Sequence, residues 1–188
     1  MKFETERLII RPYKLSDVDN LVIGLNNLNV TKYLVKDPYP YTKKDAKKYV
    51  LSEIKEKKRK KPNNYAFALI LKSNNKLIGG VGADIKYQHI TATTRSWINE
   101  DYWEKGLITE AKIVFHDFLF NKLKLRKLRS GVYSNNVHAQ KSLLKLGFKK
   151  EGFQRKQIIC NATGKIHDVI QFGLLKEDWI KARRKLLK

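Results

Sequence analysis

The stretch Trp103-Glu104-Lys105-Gly106-Leu107-Ile108-Thr109-Glu110-Ala111 runs from a β-like segment into a helical one, with a glycine at the junction. A helix N-terminus leaves backbone N–H groups unpaired and carries partial positive charge, so such a junction holds a phosphate or diphosphate mainly through main-chain donors. Gly106 lets the backbone approach the anion closely. Some 25 residues on, Asn136 precedes a second helical run; Asn is among the best N-caps and also offers a side-chain amide to a ligand. Four carboxylates, Asp84, Glu100, Glu151 and Asp168, are candidates for a general base acting directly or through a water. The aromatics Tyr39, Tyr41, Trp97 and Tyr102 are candidates for lining a substrate surface. His167 beside Asp168 suggests a catalytic pair, but neighbouring strand residues point to opposite faces, so His167 reads as structural. Cys160 is the one cysteine and has no activating neighbour in sequence.

Positioning these residues calls for alternating extended and helical elements. Arg7 to Arg11, stopped by Pro12, reads as a strand, and Ser16 with Asp19 predicts a cap for a helix through about Leu25. An aromatic and proline-rich loop spans Tyr33 to Tyr41. Thr42 and Asp45 predict a second cap, with Ala46, Tyr49, Val50 and Ile54 on one helical face ending before Pro62. Tyr65 to Leu71, Lys76 to Lys86 and Thr93 to Asn99 predict an antiparallel meander, the first two runs joined through Ser73-Asn74-Asn75. A helix from Thr109, a strand from Lys127 to Tyr133 and a helix from Asn136 to Leu146 closed by Gly147 make a crossover unit. Phe148 to Cys160 and Lys165 to Leu175 form a closing hairpin. The sheet is therefore expected to be mixed, mostly antiparallel and flanked by helices, in one α/β domain over residues 1–188 with a basic helical tail from about 179.

Composition narrows the function. The 188 residues carry 40 Lys plus Arg against 18 Asp plus Glu, a net charge of +22, so the long-range field attracts acidic partners. Two basic clusters, Lys55 to Lys61 and Lys181 to Lys188, fall at the ends of helical segments. No apolar run is long enough for a membrane span and no signal peptide opens the chain, which predicts a soluble, cytoplasmic protein with no membrane partner. One cysteine excludes an intrachain disulfide, and His89, His116, His138 and His167 share no metal-ligand spacing, so no metal is expected. Nothing in the sequence fixes an oligomeric state.

The motifs Glu4-Thr5-Glu6-Arg7-Leu8 with Arg11-Pro12, Pro40-Tyr41-Thr42 with Asp45-Ala46, Tyr102-Trp103 with Lys105-Gly106 and Thr109-Glu110-Ala111, Asn136 through Phe148, and Asp168 with Glu177-Asp178-Trp179 follow one another in order. In that order the chain resembles the GNAT acetyltransferase superfamily, specifically its Rim-type branch of ribosomal-protein and related N-acetyltransferases. The resemblance implies a splayed strand pair, here Thr93 to Asn99 and Lys127 to Tyr133, whose exposed backbone groups dock the pantetheine arm of acetyl-CoA as an added strand would. It assigns cofactor contact to Trp97, Ile98 and Asn99 on the first strand, to Glu104, Lys105, Gly106, Leu107, Ile108 and Thr109 in the loop, and to Asn136. It places Tyr39, Tyr41 and Tyr102 on the acceptor side.

The mechanism it implies is direct attack of a neutral amine on the thioester in a ternary complex, with a backbone amide stabilising the oxyanion. An α-amine with pKa near 8 is about one-tenth neutral at pH 7, far more than a lysine near 10.4. The expected acceptor is therefore a protein N-terminal amine, with a ribosomal protein and association with RNA suggested by the charge. The sequence departs from the family at Glu104, where Gly is usual, at Ile108, where Ala or Gly is usual, and at Ala139, where the branch often has Ser. Those departures define the second reading: a catalytically degenerate GNAT domain that binds RNA or an acidic protein.

Overall fold

A computed structural model describes residues 1–187. Eight strands form one sheet. The expected meander is β3 (Asn64–Leu71), β4 (Lys76–Lys86) and β5 (Thr91–Ile98), and β1 (Phe3–Glu4) and β2 (Leu8–Arg11) extend it, each strand of this half antiparallel to the next. Asn75 takes the left-handed conformation in the β3–β4 turn. The second half joins through β6 (Lys127–Tyr133), which runs parallel to β5 and antiparallel to β8 (Ile166–Leu175), with β7 (Lys149–Ile159) at the edge. The sheet is thus mixed and mostly antiparallel, as its sequence predicts.

Helices α1 (Val18–Leu25), α2 (Leu28–Thr31) and α3 (Lys43–Lys57) cover one face; α4 (Leu107–Asp117), α5 (Val137–Lys145) and α6 (Lys176–Leu186) belong to the other. Strand alternation divides the core accordingly. Phe67, Leu69, Val81, Ala83 and Leu128 meet α4 residues Ala111 and Phe115, while Ala68 and Ile70 meet Leu21, Leu25, Ala46 and Val50 of α1 and α3.

Thr42 and Asp45 make the predicted capping box for α3. Asn136 accepts the Ala139 amide as the cap of α5, and Gly147 closes the helix at φ +90. The cap expected at Ser16 is corrected. A 3₁₀ turn, Leu15–Asp17, precedes α1, and the buried Asp17 carboxylate takes the Lys14 amide and pairs with Arg11 at 2.7 Å. An ion pair to a strand outcompetes the local serine. The basic segment expected as a tail begins as α6, already packed at its first turns. Trp179 is fully buried, and its indole donates to Asp117, as does the Arg183 guanidinium. Of the second basic cluster, Lys188 lies outside the described residues.

Candidate active site

The parallel pairing of β5 with β6 lasts only from Thr91↔Lys127 to Thr93↔Arg129. Beyond it the Thr94 hydroxyl donates to the Arg129 carbonyl and the Ser130 hydroxyl to the Thr94 carbonyl, and no ladder continues. Each strand keeps its outer partner: β5 stays on β4 as far as Ile98, and β6 stays on β8 as far as Tyr133. A wedge therefore opens between Ser96–Ile98 and Gly131–Tyr133.

Strand geometry decides which backbone groups line the wedge. Asn99 donates its amide to the Ile78 carbonyl, toward β4, so by alternation Trp97 also points to β4 while Ser96 and Ile98 point into the gap. Trp97 and Asn99, expected at the cofactor, thus turn their amides to β4, while Ser96, which that expectation passed over, turns its amide into the gap. The Trp97 ring packs on Gly24 and Gly80, whose Cα positions leave no room for a Cβ. Ile98 keeps its outward amide, but its carbonyl accepts the Trp103 indole N–H at 3.0 Å. On the opposite side Ser134 donates to the Asp168 carbonyl of β8, so Gly131 and Tyr133 are the residues whose amides face the wedge.

At the wide end lies the turn leading to α4. Glu104 (φ +60) and Gly106 (φ +74) both take the left-handed conformation, which curls the chain into a concave array of amides. Among the described residues no protein acceptor takes the N–H groups from Glu104 to Thr109; the first helical bond is Glu110 N–H to the Gly106 carbonyl. The helix begins two residues before the expected Thr109, because Gly106 serves as its N-cap. Leu107 is buried and Ile108 packs against the core, so in this turn they contribute backbone rather than side chain.

Arg7 braces the turn. Its guanidinium donates to the Lys105 carbonyl at 3.0 Å and pairs with Glu110 at 2.6 Å, and its own amide donates to the same carboxylate. Burial pushes the Glu110 carboxyl up, but the Thr5 hydroxyl and the Arg7 amide and guanidinium more than offset this and hold it below its ordinary value. The strand motif and the loop motif are thus one structural unit, a link that sequence spacing alone does not reveal.

None of the four carboxylates first expected as bases is free. Glu100 binds Asn27 and Asn29, which hold its carboxyl low. Asp84 pairs with Arg95 at 2.9 Å, Glu151 with Lys127 at 2.7 Å, and Asp168 accepts the Lys156 amide. Tyr41 is corrected as well: at 3% exposure it packs in the core beneath α1 and α3. Tyr102 lies on the turn side, under the Lys105 ammonium, rather than on the acceptor side. Tyr39 remains exposed on the loop.

Two carboxylates that motif reasoning passed over lie on the α1/α3 face, near the Arg95 guanidinium. Glu53 accepts both contacts of the Asn64 amide, and Asp37 comes from the aromatic loop; burial raises both carboxyls, against the pull of Arg95. Arg95 lies flat on Gly82, reaching Asp84 and Asn64. An apolar-faced helix with a lone inward Glu53 at the α3 spacing was the available signal.

The segment from α2 to residue 36 crosses the mouth of the wedge. Its start is tied to Glu100, after β5, through Asn27 and Asn29. Its far end is tied to the other half: the Tyr133 hydroxyl donates to the Leu34 carbonyl, Asn161 donates to Val35 and Lys36, and the Cys160 thiol sits against the Thr31, Lys32 and Leu34 carbonyls. Cys160 is fully buried, in keeping with its structural reading.

An open wedge between parallel strands, ending at a helix with unpaired amides, is what an acyl-CoA needs: edges for its amides and donors for its diphosphate. The acetyltransferase (GNAT) domain family matches residues 7–149. The chain belongs to the GNAT acetyltransferases. An uncharacterised N-acetyltransferase of Bacillus licheniformis, p20, is 30% identical over 176 residues, 93% of this chain and 96% of that protein. The Bacillus subtilis uncharacterised N-acetyltransferase YnaD is 27% identical over 183 residues, 95% and 99% of the two chains. The ribosomal-protein-S5-alanine acetyltransferase of Vibrio fischeri has the same fold, with TM-score 0.77, 23% identity and coverage of 95% and 98%. So does the spermidine N-acetyltransferase of Vibrio cholerae in complex with CoA and spermine, with TM-score 0.78, 21% identity and coverage of 94% and 99%. GNAT enzymes use acetyl-CoA, and this chain is an N-acetyltransferase of that family. Among the described residues no cluster of His, Cys, Asp and Glu is placed to hold a metal ion, and no helix is long and apolar enough to cross a membrane.

Proposed function

We propose that the protein transfers the acetyl group of acetyl-CoA to the N-terminal amine of a protein, in the manner of the Rim-type branch. The observation that carries this reading is the run of unpaired amides from Glu104 to Thr109 at the wide end of the wedge. Those donors, the outward amides of Ile98 and Gly131, and the Asn136 side chain would hold the cofactor. Ser96, beside the point where the strands last touch, offers the backbone N–H for the oxyanion.

An α-amine suits this site because the carboxylates nearest expectation are already engaged. A nucleophile that is about one-tenth neutral at pH 7 needs only a weak base, whereas a lysine amine near 10.4 needs a strong one. Asp37, raised by burial, supplies the remaining carboxylate on the α1/α3 face; Glu53 is held by the Asn64 amide and Arg95. Ribosomal-protein acetyltransferases from Vibrio cholerae and Vibrio fischeri are among the fold neighbours and are consistent with a ribosomal acceptor, toward which a +22 chain would be drawn by RNA. The test is thiol release from acetyl-CoA with a panel of acceptors. Peptides with free N-termini should be turned over well above Nα-blocked lysine peptides and above spermidine; preference for either of the latter overturns the assignment.

A further inference from the structure

Beside the wedge, on the acceptor face, the structure holds a pocket of about 310 Å³ that the transfer chemistry described above does not use. Its polar lining comes from Lys32, Asn135, Thr163, Lys165 and His167, with Leu28 and Tyr33 supplying the apolar wall. No carboxylate lines it. Neither lysine makes an ion pair among the described residues, and Lys32 is oriented by the Asn29 carbonyl oxygen and by the Tyr33 ring.

The more pointed observation is His167. Its ring stacks on Tyr133 with centroids 4.3 Å apart and planes within 2°, and its Nε2 is buried with no protein hydrogen-bond partner. A buried imidazole nitrogen left unpaired is disfavoured unless something else meets it. The alternation argument separates His167 from Asp168 as expected, but it does not make the histidine inert. Its unpaired nitrogen belongs to a residue that lines a cationic pocket one aromatic layer from the end of β6.

We propose that this pocket is an acceptor subsite for a carboxylate carried by the polypeptide whose N-terminus is acetylated. The inference rests on the transfer reading. From Ser130, where β5 and β6 last touch, to Tyr133 is three residues, about 10 Å of extended chain. An amine at the narrow end of the wedge therefore presents its second or third side chain to Lys32, Lys165 and His167. The α-carboxylate of a free amino acid is too close to its own amine to reach. The enzyme thus selects N-termini with Asp or Glu at position two or three.

Two sources of carboxylate are separated by experiment. Peptides bearing Asp or Glu at position two or three, their Asn and Gln counterparts, and free amino acids are compared in kcat/KM and in binding to the CoA-loaded protein. Binding is followed by the His167 imidazole resonances, which report occupancy whether or not transfer follows. Acidic peptides should exceed their amide counterparts by about tenfold, mainly in KM. They alone should shift the His167 signals. Lys32→Gln with Lys165→Gln, both outside the core, should abolish the preference. Equal rates and equal shifts for acidic and amide peptides overturn the subsite while leaving N-terminal transfer intact, and so does a response to free amino acids alone. A selective His167 response to acidic peptides without acetylation of any amine would instead leave a carboxylate-binding pocket but refute the transfer reading, and with it the pocket's role as an acceptor subsite.

Discussion

Glu104 is the one acidic side chain in a turn otherwise suited to a diphosphate, and its replacement by Gln should tighten CoA binding in a salt-dependent way. The residue is exposed and left-handed, in the first position of the amide array. At about 6 Å in water a unit charge is repelled by about 0.7 kcal/mol, so two phosphate charges give about 1.4 kcal/mol. Lys105 offsets little, since its ammonium is turned back to the Asp101 carbonyl. With a screening length of about 30 Å at 0.01 M salt roughly four-fifths of the repulsion survives, and with about 8 Å at 0.15 M about half. Glu104→Gln should therefore bind CoA about sevenfold tighter at low salt and about threefold tighter at physiological salt. Gln keeps the side-chain length and the backbone geometry, which isolates the charge. Glu104→Gly also relieves left-handed strain of about 1 kcal/mol but returns a similar amount as unfolded-state entropy, so its stability should change little. Calorimetric titration of both proteins with CoA at the two salt concentrations is the assay. Unchanged affinity at low salt, or a gain that does not shrink with salt, would show that the diphosphate does not sit at this turn.

Arg7→Ala removes the brace on the Lys105 carbonyl and leaves the half-buried Glu110 carboxylate short of its partner; a stability loss of about 1–2 kcal/mol by urea titration and weaker CoA binding are expected. Because the Glu110 carboxyl is held below its ordinary value, its contribution is present above about pH 4.3 and lost as pH falls through the folded value, and the variant should lose that part of the acid sensitivity. His116 is fully buried among Phe148 and Trp179, and burial, with a smaller push from Lys112, drives its pKa down to about 3. The unfolded chain then binds the extra proton first, so stability should fall by about 1.4 kcal/mol per pH unit below pH 6.5, and His116→Leu should flatten that slope in urea midpoints measured from pH 7 to 4.5. Asn136→Ala should cost about 1 kcal/mol as a lost cap; a CoA affinity that drops further than this local fraying explains would show the side chain also meeting the cofactor.

The parts of this fold that sequence shows are those in which a residue's partner is nearby in the chain. Thr42 and Asp45 find each other three residues apart, as do Asn136 and Ala139, and Gly147 is marked by the conformation it alone adopts readily. The same holds for the amide turn, since unpaired N–H groups at a helix start are a local property. What sequence hides are pairings across long separations. Arg7 and Glu110 are 103 residues apart, Asn27 and Glu100 are 73, and Tyr133 and Leu34 are 99. Two of these turned a candidate into something else: Glu100 from a base into an anchor, and Arg7 from a strand residue into the brace of the turn. Tyr41 shows the same limit for burial, because no pattern within a proline-rich loop says which ring is covered by helices elsewhere in the chain.

Those long-range ties also hold the wedge open. β5 continues on β4 to Ile98, and β6 continues on β8 to Tyr133, each bonded through the edge away from the gap, so closing the gap would require the two halves of the sheet to swing together as units. The Ile98 carbonyl, which a closing β6 would need, is occupied by the Trp103 indole. The segment from α2 to residue 36 is fixed at Glu100 on one side and at Tyr133, Cys160 and Asn161 on the other, which sets the width of the mouth. Backbone edges held apart in this way bind an extended amide-bearing arm with little reorganisation, and the ordering entropy that would otherwise oppose binding is already spent in folding. Side-chain departures at Ile108 and Ala139 should then matter less than they would in a site built from side chains, because the groups we propose to meet the cofactor are, Asn136 apart, main-chain N–H groups, and any residue but proline supplies one.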